Sequence, residues 1–254
     1  MKDCGQPILV LIALLWMILV SGTVACGAEK DVLFHFIPSG AVGSPVTVQR
    51  ADGANLDVLP RTTARTELTY GTSNPITGNQ SIVFHNPNTG NDNGSFLYVP
   101  NRRELDLAYL DEFTIEVVLC PGELKNCVVL RRTAPGSSVG YVLAILTNGA
   151  FQFDLNSGWE RLTLSSAVGM IQLGQWYHVA VTWDGVNATM YVDGRPVASG
   201  VFADWLDPVD AVLGIGAIVR DLNLNSTGQF FHGEISEIRI TGKALAPVEF
   251  LRVR

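Results

Sequence analysis

The stretch WYHVAVTWDGVNATMYVDGRPV, from Trp176 to Val197, contains the pair Asp-Gly twice, each time after a run rich in β-branched and aromatic residues. Every second residue of the first run is apolar, which places these side chains on one face of a strand: Tyr177, Val179, Val181 and Trp183. Each Asp-Gly pair supplies the glycine that tight hairpin turns need for positive φ. The stretch therefore predicts a three-stranded antiparallel meander.

The rest of the chain has the same character. Short apolar or alternating runs recur, and turn clusters such as NPNTGNDNG (86–94), TAPGSS (133–138) and DLNSGW (154–159) separate them. Many short strands with turn residues between them indicate an antiparallel sandwich or barrel rather than an α/β fold. Only KALAPVEFLRVR (243–254) has helical spacing, and Pro247 allows at most a short turn there. The sequence has no fixed-period repeat and no long linker, so we expect one domain.

The opening stretch resembles the signature of the laminin-G-like, concanavalin A-like jelly-roll modules. The matching residues include Gly174, Trp176, His178, Trp183, Asp184, Gly185, Tyr191, Asp193 and Gly194. Two further segments, FTIEVVLCP (113–121) and FHGEISEIRITGKALAPVEF (231–250), resemble other strands of the family and occur in the family's order. The resemblance implies an all-β jelly-roll sandwich of two antiparallel sheets over residues 30–254. It also implies binding of glycans or proteins and, in some members, cleavage of glycosides.

The N-terminus carries an apolar block of thirteen residues, Ile8–Val20. As a helix it spans about 20 Å, less than the roughly 30 Å of a bilayer core, which favours an export signal over a membrane span. Thr23 and Ala25 are the small residues expected before a cut, so we predict a signal over residues 1–25. Cys26 would then begin the mature chain, and TVAC resembles a lipobox, so lipidation of Cys26 and an uncleaved anchor stay open beside plain secretion. A secreted, periplasmic or cell-surface protein is expected.

Charge narrows the class of partner. The chain has 17 basic and 24 acidic residues, a formal net charge of −7, and no basic runs. Such a chain binds nucleic acid or an anionic membrane poorly. We expect a glycan or a cell-surface protein as partner, and membrane contact only through an N-terminal lipid or anchor.

Two cysteines lie in the predicted domain, in EVVLCPGELKNCVVLRR. Cys120 and Cys127 flank a short turn between two strand-like runs, so they could face each other across the mouth of a hairpin. An oxidising compartment would let them pair, which predicts a disulfide. Two cysteines with six residues between them, and no second pair, do not match a zinc site.

Catalysis receives little support from the sequence. Retaining glycosidases need two carboxyl groups about 5 to 5.5 Å apart. The nearest candidates, Glu234 and Glu237 in GEISEI, are three residues apart and would face opposite sides of a regular strand. No Gly-x-Ser-x-Gly elbow accompanies the four histidines. We expect no enzymatic activity, and a glycoside hydrolase with an atypical acid pair is kept as the alternative.

A structural calcium is the one cofactor that the family resemblance suggests. Two departures weaken the inherited site, because Ser236 and Ile37 stand where the family often has acidic ligands. A separate candidate set of oxygen ligands lies at alternate positions in DLNLNSTG: Asp221, Asn223 and Asn225. This loop lacks the glycine and glutamate of an EF-hand and is equally typical of a solvated turn.

Exposed aromatic rings beside polar groups are typical of glycan sites. Trp159 and Trp205 lie next to turn residues and are the predicted ligand-binding residues, although either could instead cover the core. Four asparagines fit the Asn-x-Ser/Thr pattern: Asn79, Asn93, Asn187 and Asn225. The sequence thus predicts an exported, non-catalytic recognition module for carbohydrate or a surface protein, with a structural or adhesion protein as the alternative.

Overall fold

The computed structural model of the protein describes residues 31–53, 56–63, 66–87 and 94–252. These residues form strands joined by turns, and every strand pairing is antiparallel. The strands, numbered in chain order, are β1 Val32–Phe36, β2 Gln49–Gly53, β3 Leu56–Arg61, β4 Glu67–Ser73, β5 Gln80–His85, β6 Phe96–Val99, β7 Phe113–Pro121, β8 Cys127–Thr133, β9 Gly140–Ile145, β10 Phe151–Asn156, β11 Arg161–Ser165, β12 Tyr177–Trp183, β13 Asn187–Val192, β14 Arg195–Val201, β15 Leu213–Ile215, β16 Ile218–Val219, β17 Thr227–Gly228 and β18 Gly233–Thr241.

Helical structure in these ranges is limited to short 3-10 turns, at Arg103–Leu105, Leu107–Tyr109 and Pro247–Glu249. The last of these begins at the proline that was expected to allow only a short turn. No helix in the described part of the chain is long and apolar enough to cross a membrane.

The strands form two large sheets linked at one edge, beside a separate two-stranded sheet of β16 and β17. The seven-stranded sheet has the order β11-β10-β9-β8-β15-β6-β3, and the second sheet has the order β1-β18-β7-β12-β13-β14, with β5 paired to β18 and β4 to β5. Strand β2 pairs with both β1 and β3 and so joins the two sheets. At the far ends of the order, β11 and β14 contact each other. The predicted all-β sandwich of two antiparallel sheets is confirmed.

One hydrophobic core lies between the sheets, because alternate residues of each strand face inward. The seven-stranded sheet contributes Leu143 and Phe153, and the second sheet contributes Val117 and Ile238 to the same cluster. The residues between them on each strand lie on the outer face of the sheet.

The predicted meander is β12, β13 and β14. Asp193 and Gly194 both have positive φ, 51° and 75°, in the tight turn between β13 and β14. Trp183 lies in the core, and its Nε1 donates to the carbonyl of Phe202 at 2.9 Å. Asp184 accepts the backbone N–H groups of the turn that follows β12, at Val186 and Asn187. These signature residues therefore hold the meander together.

The predicted hairpin at the cysteines is wrong, and the structure shows no disulfide between them. Strand β7 pairs with β18 and β12 in the second sheet, whereas β8 pairs with β9 and β15 in the seven-stranded sheet. Cys127 faces the core, while Cys120 alternates with the core residue Leu119 and faces away from it. Both thiols are free and buried. Burial raises the pKa of Cys120 to about 11 and that of Cys127 to about 12.

The expected placement of Glu234 and Glu237 on opposite faces is also wrong. A bulge at Ser236 inserts one extra residue into β18, so that Glu234 lies opposite Cys120 and Glu237 opposite Val118. Cys120 and Val118 are two residues apart and share a face of β7, and their two partners therefore share the outer face of the second sheet. Only the cross-strand register reveals this arrangement.

The predicted signal over residues 1–25 and the lipidation candidate Cys26 lie outside the described residues. They stay predictions.

Candidate functional site

Trp159 and Trp205 are both strongly exposed. Trp159 lies in the turn between β10 and β11 and is 92% exposed, and Trp205 follows β14 and is 64% exposed. The two indole rings leave apolar surface in contact with water. A ligand that covered the rings would remove this surface from water, which is favourable. Neither ring covers the core, the alternative that the sequence left open for each of them.

Hydrogen bonds hold the two tryptophan loops against each other. The hydroxyl of Ser157 donates to Oδ2 of Asp204 at 2.6 Å. Oε2 of Glu160 accepts the backbone N–H groups of Ala203 at 3.1 Å and Asp204 at 2.9 Å. We call these two loops, residues 157–160 and 203–205, the tryptophan rim. Its two rings therefore belong to one edge of the molecule.

A groove of about 320 Å³ runs over the outer face of the seven-stranded sheet. It is lined by outward-facing residues of β8, β9 and β10: Val128, Arg131, Val142, Ala144, Gln152 and Asp154. Ile218 and Gln229, which come from the segment over β8, line one side. The groove thus combines a small apolar floor with charged and amide groups at its sides.

Arg131 is the buried cation of this groove, with only 9% of its surface exposed. Its guanidinium donates to the backbone carbonyls of Val219 at 3.2 Å and Ser137 at 3.3 Å, and it forms no ion pair with a carboxylate of the described ranges. Burial, and secondarily the positive charge of Arg220, lowers the pKa of Arg131 to about 10. The groove therefore holds a positive charge that only carbonyl dipoles compensate.

Asp154 lies two strands away from Arg131 in the same cross-strand row, with Val142 between them. Its carboxylate is engaged on its own side of the groove, by Arg161 at 3.2 Å and by the hydroxyl of Thr163. Gln152 also donates to it, at 3.0 Å. Asp154 is thus neutralised locally and does not compensate Arg131.

The groove and the tryptophan rim lie on one continuous face. Asn156 is two residues beyond Asp154 on β10, about 7 Å along the strand, and faces the same side. The turn that carries Trp159 follows directly. Sequence reasoning found the rim but missed the groove, because CVVLRR reads as one apolar strand with a basic end. The bulge between Val128 and Leu130 shifts the alternation and decides that Arg131 faces outward.

The carboxylates of Glu234 and Glu237 are occupied by other side chains. Oε2 of Glu234 accepts from the hydroxyl of Ser81 at 2.6 Å, and Glu237 contacts Nε2 of His35 at 2.6 Å and Nδ2 of Asn79 at 2.7 Å. Burial would raise the pKa of Glu237, but these hydrogen bonds outweigh it and lower the pKa. Glu237 is also almost completely buried. The pair shares a face and yet is built into the polar packing of the sheet.

The signature histidine belongs to a network that secures the C-terminal segment. Nε2 of His178 lies 3.1 Å from Oε1 of the buried Glu116, which also pairs with Arg239. The same carboxylate accepts the backbone N–H of Leu251 at 2.7 Å, and Arg239 donates to the carbonyl of Glu249 at 2.8 Å. These contacts fix the terminal turn over the outer face of the second sheet.

The candidate calcium ligands lie in a loop that its own backbone stabilises. Oδ1 of Asp221 accepts the N–H of Asn225 at 2.9 Å, and Oδ2 accepts that of Ser226 at 2.8 Å. At the inherited position, the hydroxyl of Ser236 bonds to the carbonyl of Gln80 and accepts from Asn74. Within the described ranges, no three His, Cys, Asp or Glu side chains group as metal ligands do. Calcium binding stays a prediction.

Two of the Asn-x-Ser/Thr asparagines donate to carboxylates. Asn79 donates to Glu237, as described above, and Nδ2 of Asn187 lies 3.3 Å from Oδ2 of Asp184. Asn225 is exposed in the loop of Asp221, and Asn93 lies outside the described residues. Glycosylation at any of them stays a prediction.

The profile of one protein family matches residues 89–249, and this family is described as the concanavalin A-like lectin/glucanases superfamily. The match covers the groove, the tryptophan rim and the meander. No curated protein matches the chain in sequence.

Solved structures share the fold at low sequence identity. The binding domain of Paraclostridial Mosquitocidal Protein 1 aligns with a TM-score of 0.62 and 10% identity, over 87% of this chain and 51% of that one. The binding domain of Botulinum neurotoxin DC, solved in complex with rat synaptotagmin II, aligns with a TM-score of 0.62 and 12% identity, over 87% and 50%. The chain thus spans about half the length of these two toxin domains.

Domain 4 of AbnA is similar over nearly its full length. AbnA is an extracellular GH43 arabinanase from Geobacillus stearothermophilus, and this domain was solved in complex with arabinotriose. The TM-score is 0.51 at 16% identity, over 81% of this chain and 97% of that one. At such identities the likeness shows the shared fold.

Proposed function

The chain belongs to the concanavalin A-like lectin/glucanase superfamily, and on this premise we propose that it is an exported, non-catalytic module that binds carbohydrate at the tryptophan rim. Similar folds support a binding role in general, since two of them are toxin binding domains and a third is domain 4 of an arabinanase, solved with arabinotriose. The N-terminal apolar block and the extracellular origin of the arabinanase support export.

One observation carries the proposal: Trp159 and Trp205 project into solvent from two loops that hydrogen bonds hold together. Indole faces stack on the apolar faces of sugar rings, and neighbouring polar groups fix the sugar's orientation. Asp204 and Glu160 are half-buried in the same rim and are already oriented by their own contacts. A rim of this kind is arranged before a ligand arrives.

Binding to an oligosaccharide array tests the proposal. We expect Trp159→Ala and Trp205→Ala each to weaken binding of the best glycan by roughly threefold to tenfold, since each removes one stacking surface. Val248→Ala is the matched control, because Val248 is an exposed apolar residue on the terminal turn, remote from the rim in the fold. Its binding should equal that of the unchanged protein.

Two outcomes would contradict the proposal. Silence of the unchanged protein across the array, together with binding to a cell-surface protein, would favour the adhesion alternative. Hydrolysis of an oligosaccharide that is lost in Glu237→Gln would show an enzyme and overturn the non-catalytic assignment.

A further inference from the structure

We propose that the groove on the outer face of the seven-stranded sheet selects an acidic saccharide by seating a sugar carboxylate on Arg131. This inference rests on the proposed function, because it names the class of glycan that reaches the tryptophan rim. It adds a second contact region and a charge requirement that the rim alone does not impose.

Arg131 is buried without an acidic partner among the described residues. A buried guanidinium is normally paired with a carboxylate, because carbonyl dipoles alone compensate a full charge poorly. Here both hydrogen-bond partners of Arg131 are backbone carbonyls, and the charged group that shifts its pKa is another cation, Arg220. The acid of the groove, Asp154, is committed to Arg161 and Thr163. The site therefore lacks one negative charge.

A carboxylate is the group that complements Arg131. Guanidinium donors match the two oxygens of a carboxylate in a planar, bidentate arrangement. The whole chain has a net charge of −7, so a dense polyanion such as a nucleic acid is repelled by the rest of the surface. Carboxylates along a saccharide are spaced more widely than phosphates in a nucleic acid, so a saccharide can place one carboxylate at Arg131 with less repulsion from the rest of the surface.

The shape and lining of the groove fit a saccharide chain. Val142 and Ala144 form a half-buried apolar floor beside Arg131, and Gln152 lies across it with an amide that can bond to hydroxyl groups. The groove volume of about 320 Å³ lies at the lower end of the range for small-ligand sites. The floor continues along β10 to the turn of Trp159, so one saccharide chain can occupy groove and rim together.

Paired oligosaccharides provide the test. We would measure by calorimetry, at fixed salt, the binding of oligomers of galacturonate, glucuronate and mannuronate, each beside its carboxyl-reduced form. At least one acidic oligomer is expected to bind about tenfold or more tightly than its reduced form. Arg131→Gln should abolish that difference and leave binding of the reduced form unchanged.

Ala144→Gln is a second variant that fills the floor without touching the charge. It should weaken the acidic oligomer even where loss of Arg131 impairs folding. Arg195→Gln is the control, because Arg195 is an exposed arginine at the start of β14. It removes the same charge and should change nothing.

The outcomes separate the two proposals. Equal binding of acidic and reduced oligomers, or a preference that persists in Arg131→Gln, would overturn the charge selection while the rim remains supported by the effect of Trp159→Ala. If Trp159→Ala and Trp205→Ala bind the reduced oligomers as well as the unchanged protein does, the rim proposal is contradicted. Binding of acidic peptides at Arg131 in place of saccharides would also overturn this inference.

Discussion

Glu116 has no exposed surface, yet three groups from distant parts of the chain converge on its carboxylate. His178, Arg239 and the N–H of Leu251 all contact it. Burial alone would raise the pKa of Glu116, but the hydrogen bond to His178 and the charge of Arg239 outweigh burial and lower it. The folded state therefore binds the proton of Glu116 less readily than the unfolded chain does.

This pKa shift predicts how stability depends on pH. Because the pKa of Glu116 is lowered in the folded state, ionised Glu116 stabilises the protein fully above its usual pKa of 4.5. This stabilisation is lost as the pH falls through the pKa of the folded state. We expect the free energy of unfolding to decrease as the pH is lowered below about 5. Glu237 contributes in the same direction, because its pKa is also lowered. Chemical denaturation between pH 3 and 8 measures this.

Variants identify the groups responsible. Glu116→Gln should lose about 3 to 5 kcal/mol at pH 7, because Arg239 stays buried without its partner, and should show a weaker acid dependence. Glu104→Gln, at an exposed position, serves as control and should retain the parent curve. An unchanged acid dependence in Glu116→Gln would contradict the assignment.

The sequence predicted some of the single residues of the candidate site. Trp159 and Trp205 could be found because aromatic residues beside turn residues tend to be exposed. Arg131 could not be found, because its outward direction depends on a bulge, and its lack of an acidic partner depends on strands that are distant in sequence.

Among the elements, β7 and β8 show how far local patterns reach. Both segments were correctly predicted as strands, from their runs of Val, Leu and Ile. The short connection between them suggested a hairpin, but the chain crosses from one sheet to the other there. Since each strand finds its partners elsewhere, Cys120 and Cys127 face different environments.

Free thiols make a direct prediction. A reducing agent should leave the melting temperature unchanged, and peptide mapping of the denatured protein should find Cys120 and Cys127 each alkylated. A disulfide between them would instead contribute about 2 to 3 kcal/mol that reduction removes. A fall in melting temperature on reduction that Cys120→Ala abolishes would contradict the structure.

In β18 a single inserted residue changes which side chains meet. Without the bulge at Ser236, Glu234 and Glu237 would lie on opposite faces, as the spacing alone predicts. With it, both join the polar outer face, where Ser81, His35 and Asn79 hold them. A bulge depends on pairing with neighbouring strands, so spacing within one strand does not disclose it.

The whole molecule is a sandwich with one shared core. Ile145 of β9 and Ile238 of β18 lie in different sheets, and both are fully buried in the same cluster. The connecting strand β2 and the contact between β11 and β14 join the sheets on both sides. Loss of packing in either sheet therefore weakens the same cooperative unit.

Matched core variants test this cooperativity. Ile145→Val and Ile238→Val should each lower the free energy of unfolding by about 0.5 to 1.5 kcal/mol, in one transition that tryptophan fluorescence and far-UV circular dichroism report alike. The exposed change Val248→Ala should have no effect. Two separate transitions, with each variant shifting only one, would show that the sheets unfold independently.

The strand content, the meander and the superfamily could be predicted from the sequence, because side-chain alternation and glycine-dependent turns are local properties that neighbouring residues specify. The partners of most strands, the bulges of β8 and β18, and the faces on which the two cysteines, the two glutamates and Arg131 lie became clear only in the folded protein. Those features depend on contacts between strands far apart in the chain. The tryptophan rim stands between the two: its residues were visible in the sequence, but their shared edge is created by the hydrogen bonds between two loops.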